Sequence, residues 1–184
     1  MAAYHVVLVH FPMALWMTAA LAILIRAFSS SALALSIDRA LTPLLFLGFL
    51  SGAAAFAVGL MVWPWEAVSS SPLGRNHALL AAWTLAYWTL MMITRWLHGE
   101  AVWHGLMRFV MAGLALIGAG LLGITGTLGG HLIGVYTDVS EVLRRLGWEV
   151  YRTFYLPDTT LIALAAATVL LLAIGWWGRK SQAA

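Results

Sequence analysis

Residues 6–28, VVLVHFPMALWMTAALAILIRAF, carry only His10, Thr18 and Arg26 as polar side chains. An α-helix rises about 1.5 Å per residue, and about 20 apolar residues cross a bilayer core. This run is therefore long enough to span. Four more runs meet the same test: 41–63, 77–96, 107–128 and 159–177. The 184 residues are 62% hydrophobic and only 9% charged, against roughly 25% charged in a soluble domain. The expected fold is all-α, a polytopic membrane helical bundle in one transmembrane domain over 1–184. A four-helix core occupies 1–135, an interfacial amphipathic helix 136–156, and a fifth transmembrane helix with its tail 157–184. Met1 to Tyr4 carry no Lys or Arg, and the first run exceeds a signal h-region, so it is expected to remain as a helix. No internal repeat stands out.

Composition also excludes several functions. Cysteine is absent, which removes disulfides, thiol catalysis, cysteine-held iron–sulfur clusters and covalently attached c-type haem. The net charge of +3 comes from arginines at the ends of the runs. None forms a basic stretch interleaved with aromatics, so nucleic acid is not an expected partner. Neither G-x-S-x-G nor a phosphate loop is present, and the five runs contain no carboxylate of the kind an intramembrane proton path uses.

Between the runs lie Ser29, Ser30 and Ser31 with Asp38 and Arg39, then Pro64, Ser69–Ser71 and Arg75. These read as loops, short enough for antiparallel neighbours. Segment 138–154 differs. Val139, Leu143, Leu146 and Val150 recur at helical spacing, opposite Glu141, Arg144, Arg145, Glu149 and Arg152. Asp138 with Glu141 suggests a capping box, and the pattern predicts a helix lying in the membrane interface. The face holding the N-terminus, face A, carries Arg75, Arg144, Arg145 and Arg152. Face B carries Arg26, Arg39, Arg95, Arg108, Arg179 and Lys180. The excess on face B predicts a cytoplasmic face B and a periplasmic N-terminus in a bacterial inner membrane. Trp63, Trp65, Tyr136, Tyr151 and Tyr155 on face A, and Trp96, Trp103, Trp176 and Trp177 on face B, read as aromatic belts.

Four of the six histidines fall at face A. His5 and His10 open the first run, His77 opens the third and His131 closes the fourth. Imidazole is costly in hydrocarbon without a partner, and several at one depth suit a haem iron or another metal. His5 and His10 point roughly 140° apart at about 100° per residue, so only one faces the bundle. The expectation places His10 inside and His5 at the rim. His10, His77 and His131 are the main ligand candidates for haem or a metal ion, with His5 in reserve and Arg75 near the propionates. His98 and His104, beside Glu100 on face B, read as headgroup contacts. Gly48, Gly52, Ala55 and Gly59 form one small-residue ridge. Ala112, Ala119, Gly123, Gly126 and Gly130, with Gly120 beside them, form another. Such ridges serve tight helix packing more often than they admit a porphyrin.

Three stretches resemble the bacterial membrane-protein family called domain of unknown function 2231. His5-Val-Val-Leu-Val-His10-Phe-Pro-Met-Ala-Leu15 is similar to its opening H-P-x-x-V-H-F-P-I-A-L. His77-Ala-Leu-Leu, preceded by Arg75, is similar to the start of its third helix. Gly126-x-x-Gly129-Gly130-x-Leu132 is similar to its closing W-L-G-G-x-L-V-Y. The resemblance covers about 5–135. Val6 stands where the family has Pro, and His131 where it often has an acidic or other polar residue. Members look like partners of redox modules, which implies membrane electron transfer without an established activity.

The sequence reading is thus a membrane b-type cytochrome-like subunit. It would hold one or two non-covalent haem b groups and carry electrons between a periplasmic redox partner and the quinone pool or a partner subunit. It fits an electron-transfer subunit of an oxidoreductase complex better than an autonomous enzyme. The alternatives are a cofactor-free anchor docking a redox protein through 138–154, and a Cu- or Zn-binding membrane protein. Lipids and protein subunits are the expected partners.

Overall fold

The computed structural model describes residues 2–153 and 158–182, and those residues form helices and turns without a strand. The first run folds as α1 (Ala2–Leu8) and α2 (His10–Phe28), separated only at Val9. Pro12 accounts for the seam. It lacks the N–H that would bond the Leu8 carbonyl, and its ring crowds that carbonyl. Val9 keeps helical angles, φ −63° and ψ −21°, so Ala3–Phe28 is one apolar rod.

α3 (Ala32–Val62) starts nine residues before the expected 41. The Ser31 hydroxyl caps it by accepting from the Ala34 N–H at 3.3 Å, satisfying a donor the helix itself leaves free. Asp38 and Arg39 are therefore helical, not loop, and Pro43 lies inside the helix. A short α4 (Trp65–Ser69) leads to α5 (Pro72–His98), capped by the Ser71 hydroxyl on the Gly74 N–H at 3.1 Å. A 3-10 turn (Gly99–Trp103) joins α5 to α6 (Met107–Leu132).

Among the described residues, four helices are long and apolar enough to cross a membrane: Ala3–Phe28, Ala32–Val62, Pro72–Trp103 and Met107–Leu132. This is a multi-pass membrane protein in contact with lipid. α2 packs beside α3 and α6, and α5 also packs beside α3 and α6. α2 and α5 therefore occupy one diagonal of a square. Across its centre the indoles of Trp16 and Trp88 stack, with centroids 5.8 Å apart and planes 8° from parallel.

The bundle contains an internal repeat that the sequence reading missed. His77 follows His5 by 72 positions, and Trp88 follows Trp16 by the same interval. In the partner helices the interval is 70: Gly118 follows Gly48, Thr125 follows Ala55 and Gly129 follows Gly59. Burial repeats in this register. Leu41, Leu45, Gly48 and Gly52 are buried on α3, and Met111, Ala115, Gly118 and Leu122 on α6. Each half is an antiparallel helical hairpin beginning at face A, so the two are related by a pseudo-two-fold axis along the bundle.

The glycines explain how close the helices come. A Cβ on Gly48 or Gly52 would run into the Trp16 indole, and one on Gly118 would lie 2.8 Å from Trp88 Cζ2. Gly126 faces the Met13 methyl in the same way. The packing reading of the ridges holds at these positions. Gly120 and Gly123 have open space beside them.

The segment after α6 folds over face A. α7 (Asp138–Arg145) ends nine residues short of the expected helix end at 154, which itself lies outside the described residues. The stop is Gly147, at φ +88°. Its N–H bonds the Arg144 carbonyl at 3.0 Å, and the Trp148 N–H bonds the Leu143 carbonyl at 2.9 Å. This is a Schellman closure, which needs a left-handed residue that glycine adopts without strain. Thr137, not Asp138, is the N-cap, and its hydroxyl pairs with Thr127 rather than capping the helix. Beyond the turn, Trp148 and Val150 join Leu143, Leu73 and Leu128 in a small second core. The Asn76 amide donates to the Thr153 carbonyl at 2.5 Å and pins the segment to α5. α8 (Asp158–Gln182) is the expected fifth helix, packed on α6.

Candidate functional site

His5 and His77 occupy equivalent places at face A, and each is seated in the same way. His5 Nδ1 lies 3.0 Å from the Ala55 carbonyl of α3, and its ring rests on Gly59. His77 Nδ1 lies 3.1 Å from the Thr125 carbonyl of α6, and its ring rests on Gly129. In both hairpins the carbonyl and the glycine are four residues apart. A carbonyl only accepts, so each Nδ1 carries the proton and each Nε2 keeps its lone pair. Metal-bound histidines are held in this manner by an outer hydrogen bond. A Cβ at Gly59 would come within 2.8 Å of His5 Cε1, and one at Gly129 within 2.9 Å of His77 Cε1. Only glycine admits the rings. Trp63 closes the outer side of His5 with an edge contact at 5.4 Å.

His10 does not belong to this pair. It is exposed, and its Nδ1 bonds the Val6 carbonyl of its own helix at 2.7 Å. The expected roles of His5 and His10 are thus exchanged. His5 faces inward because Gly59 leaves room for its ring. His131 sits apart in its own setting, buried, with Nδ1 2.9 Å from the Tyr151 hydroxyl and its ring against Tyr136 at 4.9 Å. His10, His77 and His131 therefore do not share one centre. Among the described residues no three His, Asp or Glu side chains come together as a metal cluster would require. Arg75 stands half-buried on the first turn of α5, two residues before His77.

A second polar constellation lies at face B, and the sequence reading passed over it. Asp38 is only 3% exposed, inside a candidate span expected to hold no carboxylate. Its Oδ2 accepts from Arg95 at 3.0 Å and from Trp103 Nε1 at 3.1 Å, with Arg26 Nε at 3.8 Å. Glu100 reaches Arg95 at 3.0 Å and Arg26 at 3.5 Å from the solvent side. Both guanidinium groups lie near the Trp103 ring, at 5.5 and 5.9 Å. Trp103 is therefore a buried strut, not a belt residue. The four charges balance, and the arrangement locks α2, α3, α5 and the 3-10 turn together. His98 and His104 are exposed beside it.

On α7, Glu141 bonds Arg144 at 2.7 Å and Arg145 at 3.1 Å. Arg144, then Arg145, hold its carboxyl down at about 2. A depressed carboxylate contributes above its unfolded value near 4.3, and the contribution is lost as pH falls through the folded value. The pairs should thus persist at pH 3 and dissolve only toward pH 2. A carboxyl-carbon NMR titration should give Glu141 a midpoint near 2. A midpoint above 4 would show that the pairs do not form in solution.

The chain matches no family model, no curated protein and no solved structure.

Proposed function

We propose that the protein is a b-type cytochrome-like membrane subunit that holds non-covalent haem through His5 and His77 and carries electrons. The observation supporting this is the matched pair of imidazoles, each fixed by a backbone carbonyl and seated on a glycine, with Nε2 free. His5 and His77 would hold the iron of such a group through their Nε2 atoms, and the donor set does not fit a site needing three side-chain ligands. Such a group, when bound, supplies reversible one-electron chemistry. The chain's own residues orient the ligands: Ala55 and Thr125 fix the tautomers, Gly59 and Gly129 make room, and Trp63 shields His5. Arg75 offers a positive group on the same face for carboxylate substituents.

The proposal keeps the resemblance to domain of unknown function 2231, whose members look like partners of redox modules. It places face A on the periplasmic side of a bacterial inner membrane, following the arginine excess on face B. The electrons would pass between a periplasmic partner and the quinone pool or a partner subunit.

Absorption spectra of the purified protein, oxidised and dithionite-reduced, test this reading. Soret and α bands are expected in the native chain produced with haem precursor. His5→Ala and His77→Ala should each abolish or shift them, and His10→Ala should leave them intact. Gly59→Ala and Gly129→Ala should weaken the bands, since the new methyl displaces the imidazole. Absence of bands from haem-supplied protein, or native spectra in both His5→Ala and His77→Ala, would reject the assignment. Metal analysis then separates a Cu or Zn site from no site.

A cofactor-free anchor is the second reading. It is favoured by Trp16 and Trp88, which fill the glycine faces Gly48, Gly52 and Gly118. The exposed Val139 and Val142 on α7 and Leu146 at its C-cap would then serve to dock a peripheral subunit.

A further inference from the structure

Face B carries a feature that neither the imidazole pair nor the buried ion cluster uses. A pocket of about 90 Å³ opens between the end of α2 and the start of α6, lined by Arg26, Phe28, Ser29, Ser30, Trp103 and Arg108 among others. Arg108 and Ser30 are exposed, so a ligand in the pocket can reach their side chains. Arg26 and Arg95 are matched by Asp38 and Glu100. Arg108 forms no ion pair among the described residues. Its guanidinium carbon lies 4.7 Å from the Phe109 ring, an attraction to the ring face that leaves N–H donors for a ligand. The pocket wall therefore carries one positive charge that no described carboxylate answers.

The surroundings select the anion. Phe28 and Phe109 are 68% and 43% exposed, and their rings meet at 5.9 Å. They form an apolar shelf beside an arginine at a membrane face. A soluble anion makes no use of such a shelf. A phospholipid carries its phosphate and the start of its acyl chains at these two levels, and the guanidinium fork suits phosphate oxygens. A zwitterionic headgroup would bring a second cation close to Arg108, so the unmatched charge favours a headgroup of net negative charge. The other hairpin lacks the pocket's chemistry. In its register Arg26, Ser29 and Ser30 correspond to His98, Ala101 and Val102, and Arg108 to Asp38.

We propose that this pocket binds the phosphate of an anionic phospholipid. Arg108 and the Ser30 hydroxyl donate to its oxygens, Arg26 adds positive charge from behind, and the acyl chains run along Phe28 and Phe109. The bound lipid ties the end of α2 to the start of α6. The site uses no histidine, so it stands or falls separately from the electron-carrier reading.

The test uses the full chain in a neutral detergent, titrated with dioleoyl phosphatidylglycerol and followed by native mass spectrometry, which resolves the first bound lipid from later ones. The first lipid is expected to bind saturably and more tightly than phosphatidylcholine with the same chains. Arg108→Ala should weaken that first affinity about tenfold, as loss of a charge-assisted hydrogen bond does, and Ser30→Ala several-fold. Arg39→Ala removes another exposed arginine of the same face, outside the pocket, and should leave the first affinity unchanged. Tryptophan fluorescence reports whether each variant is folded; should Arg108→Ala fail to fold, Ser30→Ala carries the comparison. Equal affinities for the two lipids would overturn the proposal. So would an unchanged affinity in folded Arg108→Ala, or in Ser30→Ala where it stands in. An equal loss in Arg39→Ala would overturn it in favour of diffuse attraction to the whole face. Glycerol 3-phosphate, added alone, should bind far more weakly than the lipid; equal binding would reject the lipid and leave a site for soluble phosphate.

Discussion

Replacing Asp38 by Ala is expected to lower the unfolding free energy by about 3–5 kcal/mol, the usual consequence of removing one partner from a buried ion pair. The side chains of Arg95 and Arg26 are only 9% and 13% exposed, and Asp38 is the innermost of their two carboxylates. Without it, two guanidinium groups remain largely desolvated with only Glu100 opposite them. Trp103 Nε1 also loses its acceptor. Glu100→Ala should cost no more than about 1 kcal/mol, because that carboxylate is 61% exposed and screened by water. Asp38→Asn should fall between the two, keeping an oxygen for Trp103 while losing the charge. Unfolding in mixed micelles at increasing SDS, followed by tryptophan fluorescence, gives the three values. Equal costs for Asp38→Ala and Glu100→Ala would mean that the cluster is wet and the buried pair unimportant.

The second large effect concerns the central indoles. Trp16→Ala and Trp88→Ala should each cost about 3–5 kcal/mol, as large-to-small changes at aromatic core positions do. In a bilayer, helices are held by close packing more than by exclusion of water, so an empty space at the axis is not offset by lipid. The pseudo-symmetry adds a sharper expectation: the two single costs should be similar. The rings stack on each other, a contribution of about 0.5–1.5 kcal/mol. The double variant should therefore cost less than the sum of the singles, by about 0.5–3 kcal/mol. Strict additivity in the same SDS titrations would show that each ring is held by its glycine neighbours alone.

Hydropathy made the membrane bundle legible, since apolar runs of spanning length leave few alternatives. It failed where partners are remote. Asp38 beside Arg39 after three serines reads as a loop; the Ser31 cap makes it helical, and Arg95, 57 positions later, compensates its burial. The inward turn of His5 depended on Ala55 and Gly59, not on its own segment. The repeat was hidden for another reason. Few identities survive between the halves, and the spacing changes from 72 to 70 across the connecting loops, so no single period aligns them. Gly147 was a signal that could have been used, because a glycine after two arginines is a common helix stop.

The duplicated hairpin has a consequence for assembly. Each half supplies one imidazole, one central indole and one glycine seat, and neither half holds a complete set. A chain carrying only the first hairpin would have to associate with a second copy of itself to bring two such imidazoles together. The stretch from Trp63 to Ser71 makes that association intramolecular, so the pair forms at any dilution. It also frees the two halves to diverge, as they have at face B, where Asp38 corresponds to Arg108 and Arg95 to Ile23. One end of the molecule keeps the symmetry of a dimer, while the other has become specific to a single chain.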